Sequence, residues 1–313
     1  MTSPDEARSG TVGLIALVVT VLVWSGFFLS LRLGARIHLP PVEIALLRFA
    51  PGTLVFLPIL LRHRARILAA PRLPLALMVV GSGFPYLIVA AFGMSLAPVA
   101  DGSTILPGLN PLLVSILGLL VFGRSIGRRR LLGLILILGG IGLLVGHSLL
   151  NPTPGLTRGY LVLLGAGLMW ATFTLAFERS GLRPIEGAAV ITFGSIALLL
   201  VTLMVRWRPL EMLEIDPSSV LPVFIAQGIG VGLLSTVAYT TAVKHLGATR
   251  AAMAGALTPV LSTLLAIPLL DERPHTDALL GLLVIVTGVA LANRSGPRKE
   301  ATPAEDDASD APP

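Results

Sequence analysis

Leu109–Leu143, LNPLLVSILGLLVFGRSIGRRRLLGLILILGGIGL, is the stretch on which the reading of this chain turns. It returns 148 residues later as Leu257–Leu291, LTPVLSTLLAIPLLDERPHTDALLGLLVIVTGVAL. Leu109, Pro111, Leu113, Leu117, Leu131, Leu132, Gly133, Leu134, Ile137, Gly140 and Leu143 all match at that one offset, without a gap. An apolar alphabet supplies chance leucine matches, but a shared proline and two shared glycines are harder to obtain by chance. Each copy reads apolar helix, charged turn, apolar helix. The chain is therefore two copies of one membrane unit, and a long-period repeat constrains the fold before any local propensity does.

Composition agrees. Of 313 residues, 54% are hydrophobic and 13% charged, against roughly 25% charged in a soluble domain. The apolar residues come in runs of about 18 or more, the length a bilayer asks for. The formal net charge of +6 sits in short loops between those runs. That placement fits orientation in a membrane and argues against a nucleic-acid partner. With no cysteine there is no disulfide, thiolate metal site or thiol nucleophile. The leader at residues 1–10, MTSPDEARSG, carries Asp5 and Glu6 where a signal peptide would be basic, so the run after it reads as a first span.

Ten runs are long enough to span or nearly so: Val12–Leu31, Val42–Leu61, Leu75–Met94, Thr104–Phe122, Leu131–His147, Tyr160–Phe177, Ala188–Val205, Val220–Ala242, Ala251–Leu270 and Ala278–Ala292. Their continuity, without period-two alternation, predicts helices and excludes a barrel. The expected fold is an all-α integral membrane protein of ten transmembrane helices in two inverted five-helix repeats. With the N-terminus inside, sixteen Lys and Arg fall in cytoplasmic segments and six outside, which sets the orientation and puts both termini in the cytoplasm. An odd number of helices per copy inverts the second copy, and the turns agree. RSIGRRR in the first copy becomes DERPHTD in the second: the same helices, the opposite charge. The first repeat is assigned to 11–150, a linker to 151–156, the second repeat to 157–293 and a disordered tail to 294–313. Helix 2 opens on Pro41-Val42-Glu43 and helix 7 on Pro184-Ile185-Glu186, a further trace of the copy.

Trp24-Ser25-Gly26 in helix 1, Leu47-Arg48-Phe49 in helix 2 and the stretch Ala238–Glu272 resemble the drug/metabolite transporter superfamily, specifically tandem EamA-type domains. The resemblance covers about residues 11–293. It implies a central cavity lined by helices 1–4 and 6–9, with helices 5 and 10 at the periphery. It also implies export of amino acids, related small metabolites or toxic analogues. One departure stands out: such domains place an acid after helix 4, as Glu272 does after helix 9, whereas Arg124 stands there in this chain.

Arg48 is the one charged residue well inside a run. A cation at that depth needs a cavity or a partner. It holds a substrate carboxylate or phosphate, or else it ties helix 2 to backbone carbonyls or to Asp101. Asn110-Pro111 and Thr258-Pro259 interrupt helices 4 and 9 at matched positions. Broken helices in corresponding places are a sequence pointer to a transporter site. Trp24, Tyr86, Trp170 and Tyr239 complete the candidate substrate-binding set, with Phe92 and Phe173 as further cavity aromatics and Gln227, Ser235 and Thr240 as hydrogen-bonding ties. The Asp271–Asp277 turn, three acids and a His, reads as capping and solvation rather than a metal site.

The reading is a plasma-membrane exporter of a small polar metabolite by alternating access, in a bacterial inner membrane, with no cofactor, no metal and no enzymatic activity. Its partners are a small-molecule substrate and the lipid bilayer, and a homodimer stays open. The alternatives are a non-transporting sensor or scaffold, and a membrane-embedded lipid enzyme. For the enzyme the spans offer no HExxH, paired acids or Ser-His-Asp set. No embedded Asp or Glu offers a proton relay, so coupling and facilitated exchange stay equally open.

Overall fold

A computed structural model describes residues 4–97, 99–150, 154–206, 209–270 and 276–293. Among the described residues every regular element is helical. Part of the linker (151–153), most of the acidic turn (271–275) and the tail from 294 lie outside them.

The first run extends to α1 (Pro4–Arg36). α2 (Pro41–Arg62) begins on prolines, whose missing amides suit a first turn, with Glu43 near the positive end of the helix dipole and Arg62 near the negative end. A short α3 (Arg64–Ala69) follows. The third run, expected as one span, remains one apolar segment, Arg72–Leu96, but its helix is broken into α4 (Arg72–Ser82) and α5 (Phe84–Leu96), parted at Gly83. Phe84 opens α5, so its N–H has no carbonyl within that helix, and it donates instead to Ser195 Oγ at 3.0 Å; Pro85 next to it has no N–H to leave unpaired. A Cβ on Gly83 would lie 2.2 Å from that same hydroxyl oxygen.

The fourth run is α6 (Val99–Gly108) and α7 (Asn110–Phe122). α7 closes on Gly123 at φ 62°, with Gly123 N–H donating to Leu119 O and Arg124 N–H to Gly118 O, the paired bonds of a glycine C-cap. Then come α8 (Arg128–Leu150), α9 (Leu156–Arg179) and α10 (Pro184–Arg206). A 3₁₀ turn, Glu211–Leu213, precedes α11 (Pro217–Phe224). The eighth run, also expected as a plain helix, passes from α11 through an eleven-residue π-helical segment, Ile225–Ser235, into α12 (Thr236–Leu246). The ninth run is α13 (Ala248–Gly255) and α14 (Thr258–Leu270), and the tenth is α15 (Thr276–Asn293).

Among the described residues six segments are long and apolar enough to cross a bilayer: Gly10–Phe28, Pro41–Arg62, Arg72–Leu96, Leu156–Arg179, Pro184–Arg206 and Pro217–Leu246. Asn110–Phe122 and Leu279–Ala292 are shorter apolar helices. Leu54, Leu120, Met204 and Val205, each more than two-thirds exposed, sit on the outside. Water would penalise that surface and acyl chains do not.

α8 and α15, the second helices of the repeated stretch, run antiparallel. A Cβ on Gly133 would meet Gly288 O at 2.6 Å, and one on Gly140 would meet Gly281 O at 2.7 Å. Gly133 and Gly140 match Gly281 and Gly288 at the repeat offset. The two copies of this helix therefore meet through exchanged equivalents, at a closeness that only glycine permits.

Candidate functional site

The breaks converge on one cleft. Trp24, Phe27 and Phe28 enter it from α1, Arg48 from α2, and Tyr86 from α5 just beyond the Gly83 break. Leu106 and Pro107 of α6 and Asn110 of α7 bracket the break at Leu109, while Trp170 comes from α9 and Val231 from the π-helical segment. The space is narrow, with room for about two or three waters.

Arg48 is 3% exposed. Its guanidinium carbon lies 5.7 Å from the Phe27 ring centroid and 5.3 Å from that of Phe49, and aromatic faces attract a cation there. Nε and Nη1 are buried without a hydrogen-bond partner. Asp101 accepts from the Tyr160 hydroxyl at 2.6 Å, and among the described residues no ion pair joins it to Arg48. The backbone under Arg48 is fixed by close approach: a Cβ on Gly228 would sit 2.7 Å from Leu47 O.

Trp170 is the hub of the aromatic packing. Its ring centroid is 5.2 Å from Trp24, 5.0 Å from Tyr86, 5.1 Å from Phe173 and 5.6 Å from Tyr239. Tyr239 lies behind the lining, 1% exposed. Its hydroxyl pairs with Thr174 Oγ1 at 2.9 Å and accepts from Asn110 Nδ2 at 3.4 Å. The amide of Asn110 is thereby aimed, and its Oδ1 is left buried and unpartnered. Trp170 Nε1 is likewise buried without a hydrogen-bond partner.

Thr258 is fully buried at the start of α14 and is not part of the lining, and its hydroxyl too lacks a partner. Pro111 opens α7 and is buried. Pro259 Cγ lies 3.9 Å from where a Cβ on Gly108 would stand, so the two broken helices face each other at their breaks. Phe92 belongs elsewhere: it is 44% exposed, with the Arg158 guanidinium 5.3 Å from its ring centroid. Phe173 packs on Trp170 without lining the cleft. Gln227 ties the π-helical segment to α1 by donating to Ser30 Oγ at 2.9 Å. Ser235 and Thr240 bond mainly within their own helical stretch. Among the described residues α10 contributes no lining side chain, and Gly255 of α13 comes close to Trp24 and Asn110.

Phe27, Phe28, Leu106, Pro107 and Val231 are lining residues that sequence reasoning passed over. Phe27 and Phe28 follow Trp24 by one turn, a visible signal. Val231 sits in an apolar run whose π-helical winding leaves no trace in its periodicity.

Arg124, the departure from the resembled pattern, has found an acid elsewhere. Its Nη2 lies 2.6 Å from Glu178 Oε2. Glu178 Oε1 accepts from Ala248 N–H at 3.0 Å, at the head of α13.

The EamA-like transporter family model matches residues 11–146 and again residues 157–294. An Escherichia coli (strain K12) protein named "Probable amino-acid metabolite efflux pump" is 28% identical over 298 residues, covering 88% of this chain and 93% of that protein. An Archaeoglobus fulgidus protein named "Uncharacterized transporter" is 25% identical over 291 residues, covering 88% of this chain and 96% of that one. A crystal structure 22% identical in sequence superposes with a TM-score of 0.67, covering 92% of this chain and 97% of that one.

Proposed function

The chain belongs to the EamA-like transporter family, and on that premise we propose that it exports a small zwitterionic metabolite, an amino acid or a close relative. The observation that carries this is the set of unpartnered polar atoms around the cleft. Arg48 Nε and Nη1 and Trp170 Nε1 are donors, and Asn110 Oδ1 is an acceptor. Buried groups left unpaired cost about 1–3 kcal/mol each, so four around one cleft are best accounted for by a ligand. A carboxylate satisfies the donors, an ammonium satisfies the acceptor, and an apolar side chain rests on Trp24 and Tyr86. The name of the Escherichia coli relative, "Probable amino-acid metabolite efflux pump", points the same way.

In this reading the ten apolar runs form ten spans, in inverted repeats at 11–150 and 157–293 with both termini cytoplasmic. The site alternates between the two faces of a bacterial inner membrane. Broken helices at mid-bilayer suit that task, because irregular backbone is tolerated in lipid only where it lines a cavity. The antiparallel crossing of α8 and α15 supports the inversion.

The test is solute flux into liposomes holding the purified chain, across a panel of amino acids, sugars and amines. Uptake of zwitterions in preference to sugars is the expected result. Flux of none of them would move the reading to a scaffold. For topology, Arg129→Cys and Asp277→Cys should label from opposite sides in a chain that has no other cysteine.

A further inference from the structure

The glutamates that open helix 2 and helix 7 are both buried, Glu43 at 1% exposure and Glu186 at 0%. An acid in the first turn of a helix is ordinarily a solvated partner of the dipole. Here each is turned instead toward the other repeat. α2 and α10 pack side by side, with Gly52 of α2 against Thr192 of α10. Each glutamate lies at the start of its helix and meets the connection that follows the other helix. At one end, Glu43 Oε1 accepts from Glu211 N–H at 2.9 Å and Oε2 from Met212 N–H at 2.6 Å, both in the 3₁₀ turn after α10. At the other end, Glu186 faces His63 and Arg66, which follow α2.

The two ends are not equally engaged. Glu43 holds two short charge-assisted bonds, the strong kind. Glu186 Oε2 is committed to Arg183 N–H at 2.7 Å, a bond within its own helix start. Its Oε1 is 3.5 Å from His63 Nδ1, within ion-pair range but without a hydrogen bond, and Arg66 Nε stands 3.7 Å from Oε2.

We propose that Glu43 and Glu186 are matched gate latches, one at each mouth of the passage, and that this structure holds the Glu43 latch shut and the Glu186 latch slack. This rests on the transport reading above. Opening the Glu43 end requires both backbone bonds to break. Closing the Glu186 end requires a movement of under about 1 Å, enough to bring His63 and Arg66 into hydrogen-bond range. In the proposed orientation the outer mouth is the closed one and the cytoplasmic mouth is the loosened one. Neither residue is among those that line the cleft; they act through the helix ends they tie.

The absence of cysteine makes the test clean. Val231→Cys places one thiol in the cleft, and its labelling by a membrane-impermeant maleimide is timed from each side in right-side-out and inside-out vesicles. Adding Glu43→Ala should raise labelling from the outside about tenfold, a conservative share of what two bonds to a carboxylate contribute. Adding Glu186→Ala should lower outside labelling and keep inside labelling fast. Because a buried glutamate can matter for folding, Met212→Pro, which deletes one donor N–H, and His63→Gln with Arg66→Gln repeat each arm with the glutamates intact. Rates from both sides equal to those of Val231→Cys alone would overturn the latches. Flux of the unsubstituted chain is measured alongside. Flux with unshifted labelling sinks the latches and leaves the transport reading standing; shifted labelling without flux sinks the transport reading alone.

Discussion

Gly232 rides directly on the backbone of Arg48: a Cβ at Gly232 would lie 2.2 Å from the Arg48 carbonyl oxygen. No side chain can yield there, because the obstacle is backbone. The closeness of the π-helical segment to α2 therefore sets how far Arg48 projects into the cleft. Gly232→Ala should push the two apart, with an overpacking cost of about 1–3 kcal/mol. The expected outcome is a lower melting temperature together with a raised KM for flux, both measured on protein that still reaches the membrane.

Arg48 itself separates two roles. A carboxylate anchor contributes about 1.5–3 kcal/mol through charged hydrogen bonds, so Arg48→Ala should raise the KM for zwitterions by roughly ten- to a hundredfold. Arg48→Lys keeps the charge and loses the planar fork, and should fall between Arg48→Ala and the unsubstituted chain. An unchanged KM in Arg48→Ala, accompanied by poor yield of folded protein, would mark Arg48 as structural.

Much of this architecture was open to a reader of the sequence, and the limits were physical. The breaks near Pro111 and Pro259 were legible because a proline repeated at one offset carries both a mechanism and an internal control. Arg48 was legible because charge is costly at that depth. The break at Gly83 had a signal in Gly81-Ser82-Gly83-Phe84-Pro85, but the hydroxyl that stabilises it comes from Ser195, 111 residues away from Phe84. The π-helical winding of Ile225–Ser235 had none, since apolar residues on all sides hide the period. The same uniformity placed Phe92 among the cavity aromatics, although it faces outward. Glu43 and Glu186 were seen as a repeated motif, while their burial depends on connections that no local pattern encodes.

The Arg124–Glu178 pair is partly buried, 30% and 24% exposed, with 2.6 Å between the charged atoms. Arg124→Glu would set two acids together and weaken the cap on α13, costing about 1 kcal/mol for a pair this screened. The swap, Arg124→Glu with Glu178→Arg, should recover the ion-pair part but not the Ala248 contact. A double-mutant cycle on thermal unfolding in detergent reads the difference.

Arg130, in the basic turn ahead of the fifth apolar run, has the reverse problem. Burial, then the nearby Arg124 and Arg250, hold its guanidinium down at about 10. Its Nε and Nη2 have no hydrogen-bond partner. The folded chain therefore binds this proton less tightly than the unfolded one, and the charge opposes folding at all pH values below about 10. Stability from this group rises as pH climbs from there toward the unfolded value. Arg130→Met should thus stabilise at pH 7, by roughly 1 kcal/mol after allowing for partial exposure. The gain should shrink in alkali. Melting curves at pH 7 and pH 10.5 test both parts.

The glycine seam between α8 and α15 has a historical corollary. Gly133 faces Gly288 and Gly140 faces Gly281, so each surface patch is complementary to a copy of itself turned over. Such an isologous seam asks nothing of one partner that it does not ask of the other. An ancestor of half this length could have formed it with an identical sister molecule inserted upside down, and fusion of two genes would have needed no new surface to keep it.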